Sequence, residues 1–319
     1  MSAAEHVVVT GGAGFIGSHV VDALIDQGHR VWVVDDLSGG QASRVNPAAE
    51  LVELNVTDAA GLAQLASSIG TSTRWFHLAA QIDVRISVNE PLVDAHTNVL
   101  GTLAVLEAAR SHGARVVFSS TGGAIYGEAL PPTPESATEQ PLSFYGAAKL
   151  AAEKYVATHA RLYELEHAIV RYANVYGPRQ DPHGEGGVVA IFGGKALAGQ
   201  APTIFGDGTQ TRDYTYVGDV VAATLAASTV QPHPDGAAQE VPVWNVGTGV
   251  ETTVCELWEA VQQLTDCSAE PVFAPLRPGE VARSALDASL AREQLGLPLN
   301  TPIATGLAAT LDWMRERSA

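Results

Sequence analysis

Short apolar runs rich in β-branched residues recur along the chain at 6–10, 30–34, 51–54, 74–78, 115–119, 167–171 and 243–246. Runs that are apolar throughout, rather than alternating, mark strands covered on both faces, which is the habit of parallel sheets. Between them lie stretches with helical spacing at 15–27, 91–112 and 144–164, with Gly28 and Gly113 placed to stop the first two. Strand and helix in alternation predict an α/β chain with a doubly wound parallel sheet.

After about residue 174 the rhythm changes, and glycine and proline gather at Gly177-Pro178, 184–187, Gly206-Asp207-Gly208 and Pro278-Gly279 between shorter elements. This predicts a smaller, loop-rich C-terminal lobe for substrate, facing the carboxyl edge of the sheet, where open α/β folds hold ligands. The expected division is a first domain of residues 1–173 plus about 213–249, and a substrate lobe of about 174–212 plus 250–319. The alanine-rich stretches 147–152 and 222–227 read as tightly packed helices.

Composition narrows the function. The 319 residues are 46% hydrophobic and 17% charged, which is globular rather than disordered. Eighteen Lys and Arg against 35 Asp and Glu leave a net charge of −17, which argues against nucleic acid or an anionic membrane as partner. A small anionic substrate stays open, because a few local cations can line a pocket in an acidic protein. No apolar run approaches the roughly 20 residues that span a bilayer. Cys255 and Cys267 read as reduced thiols, and residues 1–5 are too short and polar for a signal peptide, so the cytoplasm is the expected compartment. No metal site is expected.

The first strand runs into Gly11-Gly12-Ala13-Gly14-Phe15-Ile16-Gly17 and then a helix. Gly12, Gly14 and Gly17 satisfy G-x-G-x-x-G, which allows a tight turn, close approach of backbone to a pyrophosphate, and a helix seated on the strand. Asp35 follows at the end of the second strand, 18 residues past Gly17, placed to accept from the adenosine ribose hydroxyls and to repel a 2′-phosphate. The cofactor expected is therefore NAD rather than NADP. The bland alternative is a plain turn followed by a solvated strand end at Asp35 and Asp36.

The strand at 115–119 leads into Ser120-Thr121-Gly122-Gly123, and after a proline-broken loop Ser143 caps a helix carrying Tyr145 and Lys149. Four residues apart, the two side chains share one helix face. A phenol becomes a base at neutral pH only if its pKa falls by ~3 units, about 4 kcal/mol, which a nearby ammonium and a nicotinamide ring can supply. Such a phenolate can take the proton of a sugar hydroxyl while its carbon gives up hydride, with Thr121 bonding the same hydroxyl. The alternative is an exposed Tyr beside a solvated Lys.

These residues, with the segments VTGGAGFIG (9–17), VDDLS (34–38), HLAA (77–80), SSTGGAIYG (119–127), RYANVYGPRQ (171–180), 206–214 and RPGE (277–280), resemble the extended short-chain dehydrogenase/reductase family over essentially the whole chain. Within it the chain is most similar to the UDP-glucose 4-epimerases. The resemblance implies a Rossmann domain and a catalytic set of Thr121, Tyr145 as acid/base and Lys149 on the nicotinamide ribose. It implies an NAD site of Gly11, Gly14, Phe15, Ile16, Gly17, Asp35, Asp36, Leu37, Ser38, Asn55, Val56, Leu78, Ala79, Ala80, Asn98, Ser119 and Tyr172, with Tyr145 and Lys149. It further implies a UDP-sugar site: Asn174, Arg212 and Arg277 on the diphosphate, Val188, Val189, Thr203 and Phe205 around the uracil, and Glu280 on the uridine ribose. For Arg212 a salt bridge with Asp213 is the competing reading.

Departures from the family pattern refine this expectation. Relatives that eliminate water carry an Asp-Glu pair after the catalytic Thr, where this chain has Gly122-Gly123. Uronic-acid relatives have Thr and Arg where Asn174 and Asp181 stand, so a neutral hexose is favoured. Asn55 stands where Asp usually contacts adenine. Ser284 replaces a bulky Tyr against the sugar's C2 substituent, which leaves room for an N-acetyl group. The resemblance thus implies reversible C4 epimerisation through a 4-keto sugar with retained NAD, in a homodimer built on the helices at 91–112 and 144–164. The rivals are an NAD-dependent oxidoreductase or uronic-acid epimerase of the same fold, and a non-catalytic NAD-binding sensor.

Overall fold

The computed structural model describes residues 4–182, 187–230, 241–276 and 281–318. In chain order it begins β1 (His6–Thr10), α1 (Phe15–Asp26), β2 (Arg30–Asp35), β3 (Glu50–Glu53), α2 (Ala59–Ile69), β4 (Arg74–His77), α3 (Val84–Asn89) and α4 (Pro91–Ala95). A π-helical turn (His96–Leu100) follows, then α5 (Gly101–Arg110), β5 (Arg115–Thr121), α6 (Gly122–Ile125), α7 (Phe144–Tyr163) and β6 (Ala168–Tyr172). The remainder runs β7 (Asn174–Tyr176), α8 (Val188–Leu197), β8 (Thr203–Phe205), β9 (Thr211–Arg212), β10 (Tyr214–Tyr216), α9 (Val217–Ala227) and β11 (Val243–Val246). It ends with β12 (Thr252–Thr253), α10 (Val254–Thr265), β13 (Val272–Ala274), β14 (Arg283–Ser284), α11 (Ser289–Leu295) and α12 (Ile303–Ser318).

The chain divides into two units, one of Met1–Thr121, Ser143–Arg171 and Val221–Trp244, the other of Gly122–Leu142, Tyr172–Val220 and Asn245–Ala319. A seven-stranded sheet in the order β11-β6-β5-β4-β1-β2-β3 organises the first unit. Pairing is parallel from β1 to β2 and β4, from β2 to β3 and from β4 to β5. Strand order therefore reverses between β1 and β4, the switch point outside whose carboxyl ends a crevice opens in doubly wound folds. Val8, Trp75, Val116 and Phe118 from the strands meet Leu62, Leu106 and Val156 from the helices in one buried cluster. The expected strands and this sheet agree.

Local chemistry sets the helix ends. Asp58 caps α2 by accepting from Gly61 N at 2.9 Å, and Ser143 caps α7 by accepting from Gly146 N at 3.1 Å. Gly28 and Gly113 take φ of +85° and +64°, the left-handed stop expected after α1 and α5.

One expected element differs. The helix foreseen over 91–112 is instead α4, a π-turn and α5. Pro91 suits the first helical position, and the π-turn widens the coil where Asn98 bonds sideways to Gln81.

In the second unit Tyr176, Phe192, Tyr214, Leu257, Trp258 and Leu307 form the buried core. Around it lie short pairings: β7 with β10 in parallel, β8 with β13 in parallel, and β9 between β12 and β14. Among the described residues no helix is long and apolar enough to cross a membrane, and no group of three His, Cys, Asp or Glu could hold a metal ion.

Candidate active site

The turn between β1 and α1 admits glycine for steric reasons that can be named. Gly11 has φ +71°, and a Cβ there would lie 2.6 Å from Ala79 N, while a Cβ on Gly17 would overlap the Gly11 carbonyl. The turn ends at Gly14, the N-cap of α1, which offers no side-chain bond to the first helical amides, and no acid occupies the first turn of Phe15, Ile16 and Gly17. An uncapped N-terminus at a sheet switch point suits a pyrophosphate. Leu78, Ala79 and Ala80 leave β4 beside it, with Leu78 N bonded to Thr10 O at 3.1 Å.

At the end of β2, Asp35 accepts from Ala13 N and Leu37 N, each at 2.9 Å, so its carboxylate is held in place against the turn. Burial pushes its carboxyl above the usual range, against those two backbone donors. Asp36 accepts from Ser38 N and Oγ at 3.0 and 2.5 Å and from Asn55 Nδ2 at 2.7 Å, so Asn55 joins the acidic pair through its amide. Val56 is buried, and a Cβ on Gly101 would meet it at 2.9 Å. This donor set fits an NAD adenosine half: a bare helix terminus for phosphate and an acid for ribose.

The catalytic candidates also lie in the first unit. Thr121 closes β5, with Ser119 and Ser120 buried behind it, and α7 packs on that strand. Tyr145 and Lys149 stand one turn apart on α7. Lys149 is 3% exposed, with Nζ 4.3 Å from the Phe118 ring centroid. Burial pushes its pKa down to about 8, opposed by Glu153 and Asp94. The two expected sources of a lower Tyr145 pKa, Lys149 and a nicotinamide ring, would act against the surroundings of the phenol. Burial raises the phenol first, and the Asp94 carboxylate raises it further.

Asn98, expected at the cofactor, is 2% exposed and serves as a brace. Its Nδ2 donates to Gln81 O at 2.9 Å and to Asp94 Oδ1 at 3.0 Å, while Gln81 N donates to its Oδ1 at 3.0 Å. Its backbone carbonyl accepts from Thr102 Oγ1 at 2.7 Å, and Thr102 and Thr10 flank His77 at 3.0 and 2.7 Å. Burial first, then Lys149, pushes His77 down to about 3, which keeps it neutral. Gln81 and Asp94 were not singled out from sequence, and His77 entered only within the HLAA segment, with no role. The Asp94/Asn98 spacing of four residues was the available signal.

In the second unit, Asn174 and Tyr214 are register partners, with Asn174 N bonded to Asp213 O at 3.0 Å. Ser284, half-buried, is paired with Arg212 across β14 and β9, so two of the expected substrate residues adjoin. The competing salt bridge for Arg212 is not formed. Asp213 accepts from Thr248 N and Oγ1, Gly249 N and Leu286 N at 2.6–3.2 Å, and Arg212 Nη1 donates to Thr211 O at 2.8 Å. Val188 and Val189 open α8, Thr203 and Phe205 bound β8, and Tyr172, 6% exposed, ends β6. Arg277 and Glu280 lie outside the described residues.

The model of the NAD dependent epimerase/dehydratase family matches residues 7–247. A UDP-glucose 4-epimerase of Mycolicibacterium smegmatis is 45% identical, over 98% of this chain and 99% of that protein. Among solved structures, the UDP-glucose 4-epimerase of Thermotoga maritima with UDP-glucose has a TM-score of 0.93 at 45% identity, covering 98% of this chain and 100% of that one. The UDP-glucose 4-epimerase of Thermus thermophilus in complex with NAD has a TM-score of 0.89 at 38% identity, with 97% and 99% covered.

Proposed function

The chain belongs to the NAD dependent epimerase/dehydratase family, and from that premise we propose that it inverts C4 of a UDP-hexose, interconverting UDP-glucose and UDP-galactose. The observation that carries the reading is Tyr145 and Lys149 one turn apart on α7, packed on the strand that ends in Thr121. Tyr145 takes the O4 proton and later returns it, Thr121 bonds the same hydroxyl, and Lys149 holds the nicotinamide ribose. Bound NAD supplies the hydride acceptor at C4 and a positive ring beside the phenol. The 4-keto hexose turns over about its phosphate linkage between the two transfers. Gly122-Gly123 after Thr121 offer no acid and base for elimination, which disfavours a dehydratase.

Arg212 is the described cation for the diphosphate, suited to bidentate contact with phosphate oxygens. Two domains of the expected bounds, a cytoplasmic setting and a homodimer complete the reading. Leu92, Val93, Leu100, Tyr155 and Leu162 are exposed on α4, the π-turn and α7, an apolar face that a second copy would cover.

Proton NMR of purified protein with UDP-galactose and no added NAD tests the proposal. A growing UDP-glucose anomeric signal is expected, and Tyr145→Phe should abolish it while bound NAD is kept. Steady NADH formation on adding NAD, without epimer exchange, would instead mark a dehydrogenase.

A further inference from the structure

Asp94 is an acid inside the first unit that the proposed chemistry does not yet use. It lies on α4, is 1% exposed, and its Oδ1 accepts from Gln81 Nε2 and Asn98 Nδ2, each at 3.0 Å. Its Oδ2 is buried and has no hydrogen-bond partner among the described residues. Both donors to Oδ1 are neutral amides, so they fix the carboxylate without cancelling its charge. Helix α4 and the π-turn after it pack on α7, the helix of Tyr145 and Lys149.

The charges around Lys149 can be sorted by what compensates them. Glu153, one turn along α7, is bonded twice to Arg171, at 3.0 and 2.6 Å. On α5 Glu107 pairs with Arg110, and at the start of α3 Asp83 pairs with Arg85. His77 on β4 is held neutral by burial, and His96 on the π-turn is exposed. Glu153 is the larger and Asp94 the smaller of the two charges that hold Lys149 up against burial, and Asp94 is the one with no cation bonded to it among the described residues. Burial pushes the Asp94 carboxyl above its usual range, opposed by its bonds from Gln81 and Asn98 and then by Lys149. Its effect on Tyr145 runs the other way, since a negative charge disfavours a phenolate.

We propose that Asp94 is a positioning residue for the epimerisation: a second buried counter-charge that, with Glu153, keeps Lys149 an ammonium, held in register by Gln81 and Asn98. The proposal rests on the epimerase reading for its catalytic meaning, but the charge relation can be measured without turnover. A neutral Lys149 would deprive the phenolate and the nicotinamide ribose of their cation. Asp94 thus supports Tyr145 through Lys149 while opposing it directly, and its removal has a separable signature.

The chain has three lysines, Lys149, Lys154 and Lys195, so a protein carrying lysine labelled with carbon-13 at Cε gives three assignable signals. Lys154→Arg and Lys195→Arg assign them. In Asp94→Asn the amide oxygen still accepts from Gln81 and Asn98, and only the charge is lost. The Lys149 midpoint of the holoenzyme should fall in D94N by about one pH unit, the low end of what one opposite charge contributes. Asp94→Glu should restore it, and the other two lysines should not move. The alkaline limb of kcat on UDP-galactose should shift with that midpoint, while NAD content stays constant. An unmoved Lys149 midpoint in D94N, or a D94E variant that titrates like D94N, overturns the proposal. If D94N does not fold, Asp94→Ser carries the same comparison. A wild-type protein that shows no turnover but titrates as described refutes the epimerase reading and leaves the charge relation standing.

Discussion

Substituting Glu153 by Leu withdraws the carboxylate that accepts from Arg171 at 3.0 and 2.6 Å, where both side chains are 3% exposed. At that burial, water and salt screen the pair poorly, so leaving one charge behind should cost about 3–5 kcal/mol. The exposed pair Arg30–Glu50, at 59% and 53%, sets the contrast, because breaking it should cost about 0–1 kcal/mol. Glu153→Leu with Arg171→Met removes both charges together, and the regained desolvation free energy offsets the lost attraction. The double variant should therefore be more stable than Glu153→Leu alone. Urea unfolding followed by tryptophan fluorescence, with buried Trp75 and Trp244 as reporters, gives midpoint and slope for each protein. A double variant less stable than both singles, or a Glu153→Leu loss no greater than that of Glu50→Ala, would refute the reasoning.

Three further outcomes follow from particular contacts. Gly11→Ala places a Cβ at φ +71° and 2.6 Å from Ala79 N, so purified protein should lose its bound NAD, read from the absorbance of a heat-released supernatant; full NAD content would show that the turn tolerates the change. Ser284 should let the enzyme accept UDP-N-acetylglucosamine, with kcat/KM within about a thousandfold, ~4 kcal/mol, of that for UDP-glucose. Ser284→Tyr should widen that gap, and an unchanged ratio would remove Ser284 as a gate. Acid should unfold the protein through His77 and His167, each pushed down to about 3, first by burial and then by Lys149 for the former and by His159 and Arg115 for the latter. The unfolded chain binds these protons near 6.5, so stability is complete above that pH and falls toward pH 3 by about 1.4 kcal/mol per unit for each imidazole. His77→Gln should flatten the acid limb by one proton, and an unaltered slope would acquit His77.

What could be read from the sequence follows from how each feature is encoded. β1, β2 and β5 were legible because a strand buried on both faces must be apolar throughout, and the sheet's carboxyl edge then located the Gly11–Gly17 turn and Asp35. Tyr145 and Lys149 were legible because helix geometry alone makes residues four apart neighbours. The three-residue strands β7, β8 and β10 are too short to show a period, and Asp213, weighed only as the alternative partner for Arg212, organises backbone amides from distant segments.

The stretch 91–112 defeats the pattern for two reasons. Its π-turn shifts the phase of everything after residue 96, so no single period fits. Its burial is also inverted: Leu92 is 84% exposed and Asp94 is 1% exposed. A single chain does not distinguish an apolar residue that faces its own core from one that faces a second subunit, so hydropathy alone places neither Leu92 nor Asp94. Both placements have one cause if the exposed face is covered in a dimer, for then the side of α4 turned away from the partner must hold its polar residue against α7. Asp94 reaches Tyr145 and Lys149 from another helix, a relation that spacing along the chain does not record.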